Sequence, residues 1–260
     1  MDLRHVRITR FIMPLREGGS LPGLVEADDD LKYVIKFKGN GHGTRALVAE
    51  YLGGQVARAL GLRVPELVFA TLDADIGRTE GDEEVQDLLR SSTGLNIGLH
   101  FLAGAITFDP VVDRVDGDLA SRIVWLDAVL TNIDRTVKNT NMLMWNKALW
   151  LIDHGSSFYF HHAWHDPDAH ARSPFPYIKD HVLLPWADRL AEVDAELRAR
   201  LTPAILQNII GGIPEAWLAW DGAPAPPDVL RATYLQFLTT RLAHSAAFIR
   251  QAQDVRPAGV

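Results

Sequence analysis

Two aspartates, one in a short polar loop and one at the exit of a hairpin, constrain this chain more than any other feature. The loop reads Asn132-Ile133-Asp134-Arg135-Thr136-Val137-Lys138-Asn139-Thr140-Asn141, so that Asp134 stands five positions before Asn139. Residues 142–145 and 149–152 are short apolar runs around Asn146-Lys147 and read as a hairpin, whose second strand delivers Asp153-His154-Gly155. A loop carboxylate followed by an amide, with a second carboxylate where a strand ends, is the arrangement by which phosphoryl transfer holds an acceptor and a divalent cation. ATP chemistry is the leading expectation.

Composition narrows the alternatives. With 260 residues, 47% of them hydrophobic, the chain has ample material for a core, as one large domain or as two lobes sharing a cleft. The net charge of −7, from 26 Lys+Arg against 33 Asp+Glu, supplies no basic stripe for a phosphate backbone, and no nucleic-acid partner is expected. The absence of cysteine removes disulfides, thiolate metal sites and a cysteine nucleophile. No apolar run approaches the roughly 20 residues of a membrane span, and a cytoplasmic protein is expected.

Periodicity places the candidate residues. Residues 24–27 and 33–37 read as strands joined by the turn Asp28-Asp29-Asp30, with Lys36 on the second strand. Val48, Leu52, Val56 and Leu60 recur at intervals of four, predicting a helix over 44–60 that contains Glu50 and stops at Gly61. Residues 67–72 predict a strand, residues 73–90 an acidic connection with a short helix, and the alternation of Leu95, Ile97, Leu99 and Phe101 a further strand. A helix over 119–133 leaves Asn132 and Asp134 at its C-terminal exit. Residues 154–185 read as a long ordered loop, and two helices, 190–210 and 227–254, close the chain.

Phosphoryl transfer asks little covalent chemistry of a protein; it needs an aligned acceptor, a placed phosphate and offset charge. A strand lysine, a helix glutamate that steadies it, a loop aspartate, an asparagine and a second aspartate meet those needs, and Mg²⁺ favours such hard oxygen ligands. Lys36, Glu50, Asp134, Asn139 and Asp153 occur in that order. Taken singly, each has an ordinary reading: a solvated strand lysine, a helix-surface glutamate, turn or cap residues. Their joint order and context favour the chemical reading.

These segments carry a resemblance. Tyr33-Val34-Ile35-Lys36-Phe37, Ala49-Glu50-Tyr51, Leu60-Gly61-Leu62-Arg63-Val64-Pro65-Glu66, Gly94-Leu95-Asn96-Ile97-Gly98, Trp125-Leu126-Asp127-Ala128, Asn132-Ile133-Asp134-Arg135-Thr136, Asn139-Thr140-Asn141-Met142-Leu143 and Trp150-Leu151-Ile152-Asp153-His154-Gly155 resemble the HipA-like kinases, specifically their compact bacterial subgroup. The resemblance covers about residues 20–185. It implies an α+β, two-lobed protein-kinase-like fold related to the phosphatidylinositol kinases, in a single domain 1–260. A small mixed β N-lobe would span 1–102 and a mainly helical C-lobe 103–260, with MgATP between them. It implies that Lys36 contacts the phosphates with Glu50 behind it, that Asp134 is the catalytic aspartate, and that Asn139 and Asp153 bind magnesium. The adenine hinge would lie near residues 99–102, with Phe101 as its candidate contact. The acceptor would be an unidentified protein, through a serine or threonine, or a small molecule.

The departures from related patterns are informative. Larger toxin-type members carry an extra N-terminal subdomain for which this chain has no room, so their substrate and DNA-bound antitoxin are not expected here. Gly18-Gly19-Ser20-Leu21-Pro22-Gly23 stands where a phosphate-covering loop belongs but lacks the protein-kinase glycine spacing, and reads equally as a plain turn. Asn132-Ile133-Asp134 and Asp153-His154-Gly155 replace the His-Arg-Asp and Asp-Phe-Gly of ordinary protein kinases. Among rival readings, His161, His162, His165, Asp166 and His170 suggest a zinc site but match no H-E-x-x-H helix, and Ser156-Ser157 form no nucleophile elbow. The serious rival is a nucleotide-binding module without transfer activity; adenylylation from the same ATP is another.

Overall fold

The computed structural model describes residues 2–15, 21–78 and 80–257. The chain runs β1 (Arg4–Pro14), β2 (Gly23–Ala27), β3 (Lys32–Lys36), α1 (Gly43–Ala59), β4 (Leu67–Leu72), α2 (Glu83–Ser91) and β5 (Gly94–His100). These strands close a barrel in the order β1-β2-β3-β5-β4, antiparallel except for the β1–β4 seam, where Arg4 to Arg7 pair in parallel with Val68 to Thr71. The period of two explains how one barrel serves two cores. Val68, Ala70 and Leu72 of β4 face the barrel interior with Val6, Ile8, Val25 and Ile35, capped by Val85 and Leu89 of α2. Leu67 and Phe69, together with Ile97 and Leu99 of β5, face outward onto α1 and the helical core.

The remainder holds β6 (Ile106–Thr107), α3 (Gly117–Leu130), β7 (Met142–Trp145), β8 (Ala148–Leu151), α4 (Pro167–Arg172), α5 (Leu190–Arg200), α6 (Pro203–Gly211), α7 (Glu215–Leu218), α8 (Pro227–Ala243) and α9 (Ser245–Val255). Asp116 caps α3, its carboxylate accepting from Leu119 N at 3.0 Å. From Ala120 onward α3 is buried nearly all round, because α5, α8 and α9 all pack on it. The helix expected over 119–133 therefore runs through the centre of the core and ends at Leu130. No helix among the described residues is long and apolar enough to cross a membrane.

Several elements differ from the sequence reading for identifiable reasons. The first eleven-residue strand, β1, carries a short alternation at Val6 and Ile8 that the arginines around it obscured. The helix expected over 190–210 is two helices, because Thr202 turns out to cap Ile205 N and Pro203 begins a new helix at its first position. The helix over 227–254 also divides, where His244 leaves helical geometry at φ −110° and ψ 22°. Residues 154–185 form short 3₁₀ turns and α4, and Phe160 stacks on Phe237 at 4.4 Å, so this stretch is built into the core. Gly18, Gly19 and Ser20 of the expected phosphate loop lie outside the described residues.

The β7–β8 turn places both Asn146 (φ 49°) and Lys147 (φ 61°) in the left-handed region, as a two-residue hairpin whose twist matches its strands requires. A lysine there is strained by about 1 kcal/mol. Lys147→Gly, which creates the favoured Asn-Gly pair, should raise the midpoint of thermal unfolding by about 2–4 °C in calorimetry; no rise would show that the turn is relaxed.

Candidate active site

A buried ammonium organises one wall of the site. Lys36 ends β3 almost fully buried, and its Nζ donates to Glu50 Oε2 at 2.6 Å and, in a second short contact, to Asp153 Oδ1. Glu50 comes from the second turn of α1, and Asp153 follows β8 in the left-handed region at φ 55°. Burial pushes the lysine pKa down, but the carboxylates of Asp153 and Glu50 more than offset this, and the group is held above its ordinary value. For Glu50, burial pushes up while Lys36 and His154 hold the carboxyl down at about 2. Both charges are therefore kept, as a buried pair requires.

The loop after α3 forms the opposite wall. Asp134 is half-buried; its Oδ2 accepts from Asn139 Nδ2 at 2.8 Å and from Asn141 Nδ2 at 3.3 Å. Its backbone N–H donates to Asn132 Oδ1 at 3.1 Å, a turn closed by the side chain two residues earlier. Burial and the nearby Asp153 charge raise its pKa above the ordinary carboxylate value, against the opposing amide hydrogen bonds.

Between the walls lies a cleft of about 1440 Å³, lined by Lys36, Asn139 and Asp153 together with apolar groups that include Val34, Leu99, Leu102, Met142 and Ile152. Lys36, Glu50 and Asp153 are thus brought into one cluster, and Asn139 shares their cleft. Asp134 is not among the residues that line this cleft; its carboxylate is held by Asn139 and Asn141, which do line it, and it feels the charges of Asp153 and Lys36. Phe101 lines the cleft, but its amide donates to Lys32 O at 2.9 Å in continuation of the β3–β5 ladder, so that donor is closed to a ligand.

A divalent cation fits the donor chemistry present. Asn139 turns its Nδ2 to Asp134, and its Oδ1 accepts no hydrogen bond among the described residues; Asp153 binds Lys36 through Oδ1 and keeps Oδ2 similarly open. Both are hard oxygens. Among the described residues no three His, Cys, Asp or Glu side chains converge as a metal-holding group, so the fit rests on one carboxylate and one amide. The histidine-rich segment has other duties: His161 Nδ1 meets Tyr234 Oη at 2.9 Å, and Asp166 caps α4 through Ala169 N.

Behind the loop lies an ion pair that the sequence reading missed. Asp127 of α3 and Arg135 are sealed from solvent, with Arg135 Nε donating to Asp127 Oδ2 at 2.6 Å. Asn132 Nδ2 and His181 Nε2 also reach Asp127, at 3.0 and 2.9 Å, and Arg135 Nη1 donates to the carbonyls of Asn141 and Ile152. One guanidinium thereby ties α3 to both ends of the β7–β8 hairpin. The available signal was a lone carboxylate in the apolar run 123–130, which is costly to bury without a partner.

The chain has recognisable relatives. A family model described as HipA-like kinase matches residues 8–246. The fold is similar to that of the proinflammatory kinase CtkA of Helicobacter pylori, at 12% identity and a TM-score of 0.57 with 97% of each chain covered. It is also similar to the Golgi casein kinase with Mn/ADP bound, at 13% identity and a TM-score of 0.50, covering 96% of this chain and 73% of that one. At such identities the likeness of structure speaks for the kinase fold alone. No curated protein matches the chain.

Burial pushes the Asp127 carboxyl up, but Arg135 and His181 hold it well below its usual value. Its contribution to stability is therefore complete above about pH 4 and is lost as pH falls through the lower folded value. Asp127→Asn, which leaves Arg135 charged and buried, should cost about 3–5 kcal/mol in denaturant unfolding at neutral pH; a loss under about 1 kcal/mol would show that the pair is dispensable.

Proposed function

The chain belongs to the HipA-like kinase family, and we propose that it transfers the γ-phosphate of ATP, with Mg²⁺, to the hydroxyl of a protein serine or threonine. The observation that carries this reading is the Lys36 ammonium held between Glu50 and Asp153 at the wall of the cleft. The lysine is anchored by a carboxylate behind it and by one that faces the cleft. Polyphosphate oxygens would join the front partner without disturbing the rear one.

The proposed lobes, 1–102 and 103–260, flank this cleft. Adenine would enter among Val34, Leu99 and Met142, and the hinge donor assigned here is the Leu102 N–H, which meets no acceptor among the described residues. The acceptor hydroxyl attacks the γ-phosphorus, a new P–O bond forms, the bond to the β–γ bridging oxygen breaks, and the proton passes to Asp134. Its raised pKa makes this carboxylate a better proton acceptor than an ordinary one. Asn139 Oδ1 and Asp153 Oδ2 would hold the divalent cation, which when bound offsets charge on the phosphate oxygens. Asn139 and Asn141 keep the Asp134 carboxylate oriented.

Incubation with γ-labelled ATP and Mg²⁺ separates this function from a binding module. Label appearing on protein is the expected outcome, and ATP bound but unconsumed would favour the module. Asp134→Asn should lower transfer by about 10²–10⁴-fold while leaving MgATP affinity nearly unchanged, and retained turnover would reject its role. Asp153→Ala should remove the Mg²⁺-dependent part of ATP affinity in calorimetry. Equal affinity for MgATP in variant and wild type would remove it from the metal site.

A further inference from the structure

Most of the hydrogen-bonding capacity of Arg45 is unused. This residue of the first turn of α1 donates from Nη1 to the carbonyl of His162 at 3.2 Å, while its Nε and Nη2 meet no acceptor among the described residues. No residue of that first turn is acidic. Two imidazoles stand beside the guanidinium: the rings of His42 and His162 lie 5.8 Å apart, edge to face, with His42 exposed and His162 partly buried. The row continues to the exposed ring of Tyr159, 6.2 Å from that of His162. Burial pushes the His162 pKa down, and the charges of Arg45 and His42 push it the same way; no carboxylate among the described residues acts against them. At neutral pH this ring therefore offers a neutral N–H.

This cationic corner adjoins the cleft without lining it. A Cβ placed on Gly155 would stand 3.4 Å from both Lys36 Nζ and Asp153 Oδ1, and 3.9 Å from the carbonyl of Ala46, the residue after Arg45. On the other side the Tyr159 N–H donates to Thr131 Oγ1 at 3.3 Å, at the start of the loop that carries Asp134. The corner thus runs from the front of Lys36 to the loop that would receive the acceptor hydroxyl. A guanidinium with two open nitrogens takes a carboxylate through paired hydrogen bonds, and imidazole N–H groups add single ones. A nucleotide in the cleft leaves these donors to the other substrate.

We propose that Arg45, His42 and His162 form a docking site for the acceptor polypeptide, which takes the carboxylate of an aspartate or glutamate close in sequence to the serine or threonine that receives the phosphate. As a statement about the acceptor this rests on the phosphotransferase reading. The binding of an acidic peptide at this corner stands apart from it. In a chain of net charge −7 an acidic partner is repelled elsewhere, so a local cationic corner beside the cleft selects where such a peptide lies as well as how tightly it is held. The ring of Tyr159 gives the peptide an apolar surface between that corner and the Asp134 loop.

The test uses the full chain, Arg45→Glu and His42→Glu, each variant checked for wild-type circular dichroism; His42 is exposed, so its variant serves should Arg45→Glu fail to fold. Serine peptides in which each neighbouring position is fixed in turn as Glu, Ala or Lys are labelled with γ-labelled ATP. Glu at one or more positions should raise kcat/KM about 10-fold over Ala in the wild type, and the preference should pass to Lys in the variants while the Ala peptides are labelled as before. Fluorescence anisotropy of a labelled peptide of alternating Glu and Ser reads the site without nucleotide. Its affinity should fall about 10-fold in each variant and with rising salt, and added ATP should not displace it. Equal labelling of Glu, Ala and Lys peptides, equal anisotropy in wild type and variants, or displacement by ATP would overturn the proposal, as would binding of a phosphoserine peptide with none of the glutamate peptide. Should the wild type transfer no phosphate, the functional reading falls and the anisotropy alone decides the docking claim.

Discussion

A lysine ammonium cannot be buried alone, and the folded arrangement of this chain answers that constraint at Lys36. Its two carboxylate partners lie 14 and 117 residues away in sequence, on α1 and at the exit of the β7–β8 hairpin. Satisfying one charge therefore requires the barrel, the helix and the hairpin to be assembled together. Burial of charge contributes little net stability. What it supplies is a penalty against every arrangement that leaves one of the three groups without its partners.

A second buried pair does the complementary work. Asp127 and Arg135 are sealed on both sides, whereas Asp153 leaves about a third of its side chain exposed toward the cleft. The Asp127–Arg135 pair is a frame: Arg135 reaches the carbonyls of Asn141 and Ile152 and so fixes where the loop leaves α3 and where the hairpin returns. The Lys36–Asp153 pair is a front, open to the cleft. Asp134, Asn139 and Asp153 hang from the frame, which is how a loop of irregular backbone comes to hold side chains to the tolerance that phosphoryl transfer asks.

How much of this was legible depends on the range of the interaction. Short-range signals carried well: the Asn146-Lys147 hairpin, the strand Leu67–Leu72 and the existence of α1 are consequences of periods of two and 3.6 and of turn chemistry, although α1 is buried on every face from Leu47 to Ala57 where the spacing of four suggested one stripe. The order of Lys36, Glu50, Asp134, Asn139 and Asp153 suggested a cluster, and the resemblance to HipA-like kinases agrees with a family match over residues 8–246. Long-range pairing was not legible. Nothing local marks β1 as the strand that closes the barrel in parallel with β4, and nothing local joins Asp127 to Arg135 and His181. Phe101 shows the same limit at one atom: its place beside the cleft follows from the strand, while the engagement of its amide by Lys32 O depends on ladder register.

The proposed function has Lys36 accept nucleotide phosphates from the cleft while Asn139 and Asp153 hold a divalent ion beside it. The most direct measurement is a crystal structure of the chain with a non-hydrolysable ATP analogue and Mn²⁺, with the metal located by anomalous scattering. The expected result is an anomalous peak bonded to Asp153 and Asn139, with phosphate oxygens at Lys36 Nζ. A nucleotide bound away from Lys36, or a metal held without either Asn139 or Asp153, would contradict it.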